Sequence, residues 1–204
     1  MKPLYLPATL RRGLPMAFIA ASVLLAPPAP AQTLETRFAT WLDEVRTEAR
    51  GRGISEKVIQ SALKDIKPVA RIIKRDRNQA EFKLTLPIYM KRVVTKRNIK
   101  RGRDLAVKHK DLLARVAKKY GVQPRVILAI WGIETRFGAV KANVPVIPSV
   151  ATLAFDRRRS KYFRSQLFAT LLMIDRGYIE LENLLGSWAG AMGQCQFMPS
   201  SFLN

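Results

Sequence analysis

The sequence predicts a mainly α fold, and three observations carry that reading. Apolar residues recur at helical spacing in several separate stretches, cap and breaker residues bracket those stretches, and the alternation expected of strands is scarce. With 204 residues, 48% of them hydrophobic, the chain has material for the core of one ordinary domain or slightly more. No internal repeat or low-complexity tract appears.

Residues 1–31 are read as a cleaved secretory signal. Lys2, Arg11 and Arg12 precede the apolar run 14–25, and Ala29-Pro30-Ala31 supplies a small-x-small cleavage pattern before Gln32. A membrane anchor is the competing reading, but the run falls short of the roughly 18 to 20 residues that span a bilayer, and Pro27, Pro28 and Pro30 interrupt it. No cysteine near the cleavage site offers a lipid attachment point, so a soluble periplasmic product without a transmembrane segment is expected.

Thr33 caps a first helix carrying Phe38, Trp41, Leu42 and Val45, which Gly51 and Gly53 end. Ser55 opens a second helix with Val58, Ile59, Ala62 and Leu63, closed before Pro68, and the pair reads as a helical hairpin. Residues 65–104 are charged and irregular, and are expected to be connecting segments with short helices. Over 105–120, Leu112, Leu113, Val116 and Tyr120 trace one face and Gly121 is the expected C-terminal cap.

Pro124 then starts a helix in the first-turn position that tolerates proline. Its run 126–133 is almost wholly apolar, which predicts a central helix buried on most sides. Beyond Gly138, an extended crossing over 144–148, a short helix capped by Ser149 and a longer one from Ser160 to Asp175 complete the pattern. The expected division is an N-terminal helical region over 32–104 and a catalytic core over 105–204.

Charge narrows the partners. The chain carries 36 Lys and Arg against 15 Asp and Glu, +21; without residues 1–31 the balance is +18. Such a surface concentrates anionic polymers. Much of it lies in 71–77, 91–103 and Arg157-Arg158-Arg159, runs without a nucleic-acid-binding motif on a chain read as exported, so no nucleic-acid partner is expected. Part of the excess is a solvated basic face. The only cysteine is Cys195, which excludes an intrachain disulfide, and with the only histidine at His109 it is read as a packed thiol rather than a nucleophile.

Two stretches carry chemistry. In Ile130-Trp131-Gly132-Ile133-Glu134-Thr135-Arg136-Phe137-Gly138, Glu134 shares a helix face with Ile127, Ile130 and Trp131. Glycosidic cleavage needs a proton delivered to the leaving oxygen, and an apolar setting favours the protonated form of a carboxyl group. The plainer reading is a surface pair with Arg136 or Lys141. The second stretch, Gly186-Ser187-Trp188-Ala189-Gly190-Ala191-Met192-Gly193-Gln194-Cys195-Gln196-Phe197-Met198-Pro199, is Gly-rich and uncharged, as suits close approach of a ligand to backbone.

Together and at this spacing the two stretches resemble the catalytic domain of the lytic murein transglycosylases, most closely the membrane-bound lytic transglycosylase B family. The resemblance covers residues 80–204 well and the preceding helices more loosely. It implies a lysozyme-like helical domain, peptidoglycan glycan strands as partner, and cleavage between N-acetylmuramic acid and N-acetylglucosamine with a 1,6-anhydro product. It assigns Glu134 as catalytic acid/base, Tyr89 to support of the muramyl residue, and Ser187, Gln196 and Phe197 to the cleft near the scissile bond.

Arg158 and Arg159 match a paired-arginine position, one residue out of register, with contact to substrate carboxylates as the implied role. Gly190 and Gly193 suit either helix packing or substrate approach, and Trp131 and Trp188 read as cleft or core walls. No second acid sits in a motif after Glu134, which fits a one-carboxylate reaction that needs no metal. Alternatives remain: a muramidase that uses water, or a noncatalytic basic binder of cell wall or polyanion.

Family members continue past the position of Asn204 through an Asp-rich loop that binds a structural calcium, so any such calcium is expected only beyond this chain. The sequence therefore reads as C-terminally truncated. A 204-residue form without its signal is expected to be less stable and less active than an extended one, because Phe197, Met198, Phe202 and Leu203 lack downstream packing.

Overall fold

The computed structural model describes residues 33–78 and 84–204. The signal read in residues 1–31 lies outside them. Helix α1 (Leu34–Gly51) begins at Thr33, whose side chain accepts a hydrogen bond from the Thr36 amide. Its buried residues Phe38, Leu42, Val45 and Ala49 fall at intervals of three and four, one stripe of a 3.6-residue helix. Helix α2 (Glu56–Ala62) packs back beside it, burying Val58, Ile59 and Ala62. The Arg46 guanidinium ties the two by donating to the Leu63 carbonyl at 2.9 Å.

The described residues within 65–104 are more regular than expected. They hold α3 (Ala70–Arg77), α4 (Leu86–Val93) and the start of α5 (Lys96–Lys108). Thr95 caps α5 by accepting from the Asn98 amide, and the half-buried positions Asn98, Gly102, Leu105, Ala106 and His109 lie on one face while the Lys and Arg residues point outward. So dense a charge pattern hides the periodicity, because small and polar residues occupy much of the inward stripe. The division expected between residues 104 and 105 falls inside α5.

The chain turns at His109 into α6 (Lys110–Tyr120), which Gly121 ends in the left-handed conformation, φ 69°. Helix α7 (Pro124–Thr135) follows. It is not the buried central helix: Val126 and Ile130 are 45% exposed, Ile133 47%, and its buried residue is Thr135.

That central place belongs to α8 (Val146–Phe155), where Val146, Ile147 and every residue from 149 to 154 are buried. An apolar run says that a helix seeks cover, not which neighbour provides it. Ala151 and Ala154 let α8 sit close to α9 (Ser160–Asp175), whose Phe163, Leu167 and Leu171 complete the core with Phe38, Val45, Ile59 and Leu63. Each such side chain contributes about 1.5–3 kcal/mol by leaving water.

Helix α8 starts at Val146, earlier than a Ser149 cap implies. Pro148 is accommodated in its first turn, and Ser149 donates back to the Pro145 carbonyl at 2.8 Å. The extended crossing shrinks to β1 (Val144–Pro145), paired antiparallel with β2 (Leu185–Gly186). Ser160 begins α9 as a helical residue and donates to Ala154 O of α8 at 2.6 Å. Buried Gln166 of α9 accepts from the Ser200 amide and donates to its hydroxyl, capping α10 (Pro199–Leu203).

Phe137 joins α5 to α7. Its ring is buried against Gly102 and Gly132, where an added Cβ would come within 3.1 and 2.7 Å of it, and it meets Trp131 edge-on at 5.6 Å. Arg136 and Phe137 both take positive φ, 52° and 59°, which reverses the chain directly after α7. This turn sets where Glu134 ends up.

Candidate active site

Glu134 stands in the last turn of α7, and two hydrogen bonds lock that turn to the Gly-rich segment while a third braces the reversal that follows it. Trp131 Nε1 donates to Gln194 Oε1 at 2.6 Å, and Thr135 Oγ1 donates to the Gln194 carbonyl at 2.6 Å. The Gly138 amide donates to Thr135 Oγ1 at 3.0 Å. Gly138, at φ 75°, leaves room for the Gln194 side chain, which lies 2.4 Å from where a Cβ would be. The residues on either side of Glu134 are therefore fixed while its carboxylate is left exposed.

The Gly-rich segment folds as consecutive tight turns beside β1. Ser187 donates its amide to Ala191 O at 2.8 Å, and its hydroxyl oxygen accepts from the amides of Ala189 and Ala191 at 3.3 and 3.1 Å. With both lone pairs engaged, the Ser187 hydroxyl proton is the group left to meet a ligand. Met192 and Phe197 exchange backbone hydrogen bonds around a loop in which Gly193 and Gln196 have φ of 67° and 53°. Gln196 Nε2 donates to Gly193 O at 3.0 Å.

Glu134, Ser187 and Gln196 line one cavity of about 200 Å³, together with Arg75, Thr135, Lys141, Asn143, Gly186 and Trp188. Among these walls Glu134 is the only carboxylate. It forms no ion pair with Arg136 or Lys141, so the plainer surface-pair reading does not describe it. The apolar burial expected around Glu134 is also not supplied by α7, since the helix face that carries it is itself open.

Several expected residues are placed elsewhere. Tyr89 is 37% exposed on α4 and does not line the Glu134 cavity, and Phe197, 57% exposed, is likewise outside its walls. Arg158 and Arg159 are engaged within the fold. Arg158 donates to both oxygens of Asp76 at 2.7 and 3.1 Å and to its carbonyl at 3.0 Å, and Arg159 donates to the same carboxylate. A buried carboxylate needs such partners, and Asp76 recruits these two among the described residues.

Gly190 has a packing role: at φ 86°, an added Cβ would lie 2.4 Å from Val150 Cγ1 on α8. Gly193 has open space around it and serves its turn. Burial first, then the nearby Glu134 carboxylate, pushes the Cys195 thiol up, in keeping with a packed thiol. Among the described residues, no three of His, Cys, Asp and Glu gather as a metal-ligand set.

Sequence reading missed Arg75, Thr135, Gln194 and Asn143. For Arg75 a signal existed: it lies four residues from Arg71 on α3, one turn along the same exposed face and next to buried Ile72 and Asp76.

A family model described as "Transglycosylase SLT domain" matches residues 37–204, nearly all of the described chain. The chain belongs to the transglycosylase SLT domain family. Over 160 residues it is 34% identical to membrane-bound lytic murein transglycosylase B of Escherichia coli K12, a match covering 74% of this chain and 44% of that protein. The chain thus spans less than half the length of that relative.

Among solved structures, SltB3 of Pseudomonas aeruginosa in complex with NAG-NAM-pentapeptide superposes with a TM-score of 0.76 at 32% identity, over 81% of this chain and 44% of that one. The Escherichia coli lytic transglycosylase SLT35 in complex with calcium gives 0.68 at 32% identity, over 83% and 53%. The mainly α, lysozyme-like class expected from sequence is the class of these transglycosylases. No helix among the described residues is long and apolar enough to cross a membrane.

Proposed function

We propose that this chain supplies the catalytic centre of a peptidoglycan lytic transglycosylase. It cleaves the β-1,4 bond between N-acetylmuramic acid and N-acetylglucosamine in cell-wall turnover, leaving a 1,6-anhydromuramyl end. The observation that carries the reading is a cleft that, among the described residues, has one carboxyl group, Glu134, beside the hydroxyl of Ser187 and the amide of Gln196. A two-carboxylate glycosidase needs a second acid across the bond.

With one acid, both proton transfers fall to it. Glu134 gives its proton to the glycosidic oxygen, the bond from that oxygen to muramyl C1 breaks, and N-acetylglucosamine leaves with its 4-hydroxyl restored. The muramyl acetamido oxygen supports the positive charge at C1. The C6 hydroxyl oxygen then bonds to C1 while its proton returns to Glu134, so the carboxyl ends as it began. A hydroxyl tethered to the same ring has a high effective concentration, which favours it over water. Substrate lying over the exposed carboxyl excludes solvent and supplies the cover that α7 does not.

This scheme asks nothing of a metal. It is supported by SltB3, solved also in complex with NAG-anhNAM-pentapeptide. Mass spectrometry of material released from peptidoglycan tests it: muropeptides one water lighter than their reducing counterparts are expected. Reducing ends alone would overturn the transglycosylase reading in favour of a water-using muramidase.

Secretion belongs to the same proposal, because the substrate lies outside the cytoplasm. A signal over residues 1–31, cleaved before Gln32, delivers a periplasmic protein. N-terminal sequencing of protein from the periplasmic fraction is expected to begin at Gln32; a start at Met1 would count against it.

A further inference from the structure

The Glu134 cavity continues into a second one of about 360 Å³, lined by Arg71, Ile72, Arg75, Asn143, Val144 and Trp188. Arg75, Asn143, Val144 and Trp188 wall both. The Arg75 guanidinium lies 5.5 Å from the centre of the Trp188 ring, a cation–π arrangement that holds it against the shared wall. Arg71 is one helical turn away on the same face of α3.

The charges of α3 are sorted by face. Asp76 takes Arg158 and Arg159, and Arg77 pairs with Asp156 at 2.8 Å. Arg71 and Arg75 form no ion pair with any described residue, and both are exposed in the cleft. Two adjacent guanidiniums, an amide side chain and an indole face are the donors and platform that a carboxylate-bearing group on a sugar would meet.

We propose that Arg71 and Arg75, with Asn143 and Trp188, form a carboxylate subsite that extends the Glu134 cleft and reads the acidic substituent of the muramyl residue. This rests on the glycan substrate proposed above. The carboxylate has two sources: the lactyl group itself where the peptide is absent, or the acidic peptide stem where the lactyl group is amidated.

Three disaccharides separate the sources, and none contains the bond to be cleaved. They are N-acetylglucosaminyl-1,6-anhydro-N-acetylmuramyl-pentapeptide, its peptide-free form with a free lactyl carboxylate, and diacetylchitobiose, which has neither. Binding to the protein and its variants is measured by calorimetry. The double substitution Arg71→Ala/Arg75→Ala is expected to weaken one or both carboxylate ligands by about tenfold or more, the size of a charge-assisted contact, and diacetylchitobiose by less than about twofold.

The ligand that loses affinity identifies the source, and Arg71→Lys/Arg75→Lys is expected to retain part of the affinity because charge is kept. Equal losses on all three ligands, or no loss on either carboxylate ligand, would overturn the subsite. A lytic assay that gives reducing ends would overturn the reaction proposed above and leave this binding result readable.

Discussion

Glu134→Gln is expected to bind glycan as the unchanged protein does, within about threefold, and to release anhydromuropeptides more slowly by about two to four orders of magnitude. Gln keeps the shape and the hydrogen-bonding reach of Glu but has no proton to give and no carboxylate to take one back. Both halves of the proposed reaction use the same group, so no step survives intact.

Folding should be unaffected, because Glu134 is exposed and holds no ion pair with any described residue, while the clamp beside it is built from Trp131, Thr135 and Gln194. Clearing of a peptidoglycan suspension, product mass spectrometry and thermal unfolding of the same preparation check the three statements together. A variant that folds, binds and still cleaves at the full rate would remove Glu134 from the chemistry. A noncatalytic binder predicts equal binding by the two proteins and cleavage by neither.

Local features carried the helical reading. Thr33 and Gly121 mark helix ends by chemistry that acts within a few residues, and the stripes in α1 and α2 are dense enough to be seen directly. Helix α5 was obscured because Asn98 and Gly102 stand where larger apolar residues would announce the stripe, amid Lys and Arg that face solvent. The exchange of roles between α7 and α8 has a different cause. Both runs are apolar, and which one is enclosed depends on long-range packing that spacing does not encode.

The same distinction applies to the cleft. Glu134, Ser187 and Gln196 lie in two motifs and meet in one cavity, whereas Arg75 comes from α3, about sixty residues earlier than Glu134, and only the fold brings it there. The resemblance implied contact of Arg158 and Arg159 with substrate carboxylates. Within the fold, the carboxylate they hold is that of Asp76.

That ion cluster is where the largest stability effect is expected. Asp76 is 2% exposed, and its oxygens hold the guanidiniums of Arg158 and Arg159, fastening α3 to the turn between α8 and α9. Asp76→Ala is expected to cost about 2–3 kcal/mol, toward the low side of breaking a buried pair, because both arginines are partly exposed and can turn to water.

The dependence on pH has a definite sign. Burial alone would push the Asp76 carboxyl up, but the hydrogen bonds and charges of Arg158 and Arg159 outweigh it and hold the group below the usual carboxylate range. A carboxyl lowered on folding stabilises the protein fully above its unfolded value, about 3.9, and loses that contribution as pH falls through the folded value. The gap in unfolding free energy between unchanged protein and Asp76→Ala should therefore be widest near neutrality and narrow steadily below about pH 4. Urea unfolding across that range measures it. A gap that stays constant down to the most acid condition would mean that Asp76 acts through packing and not through its charge.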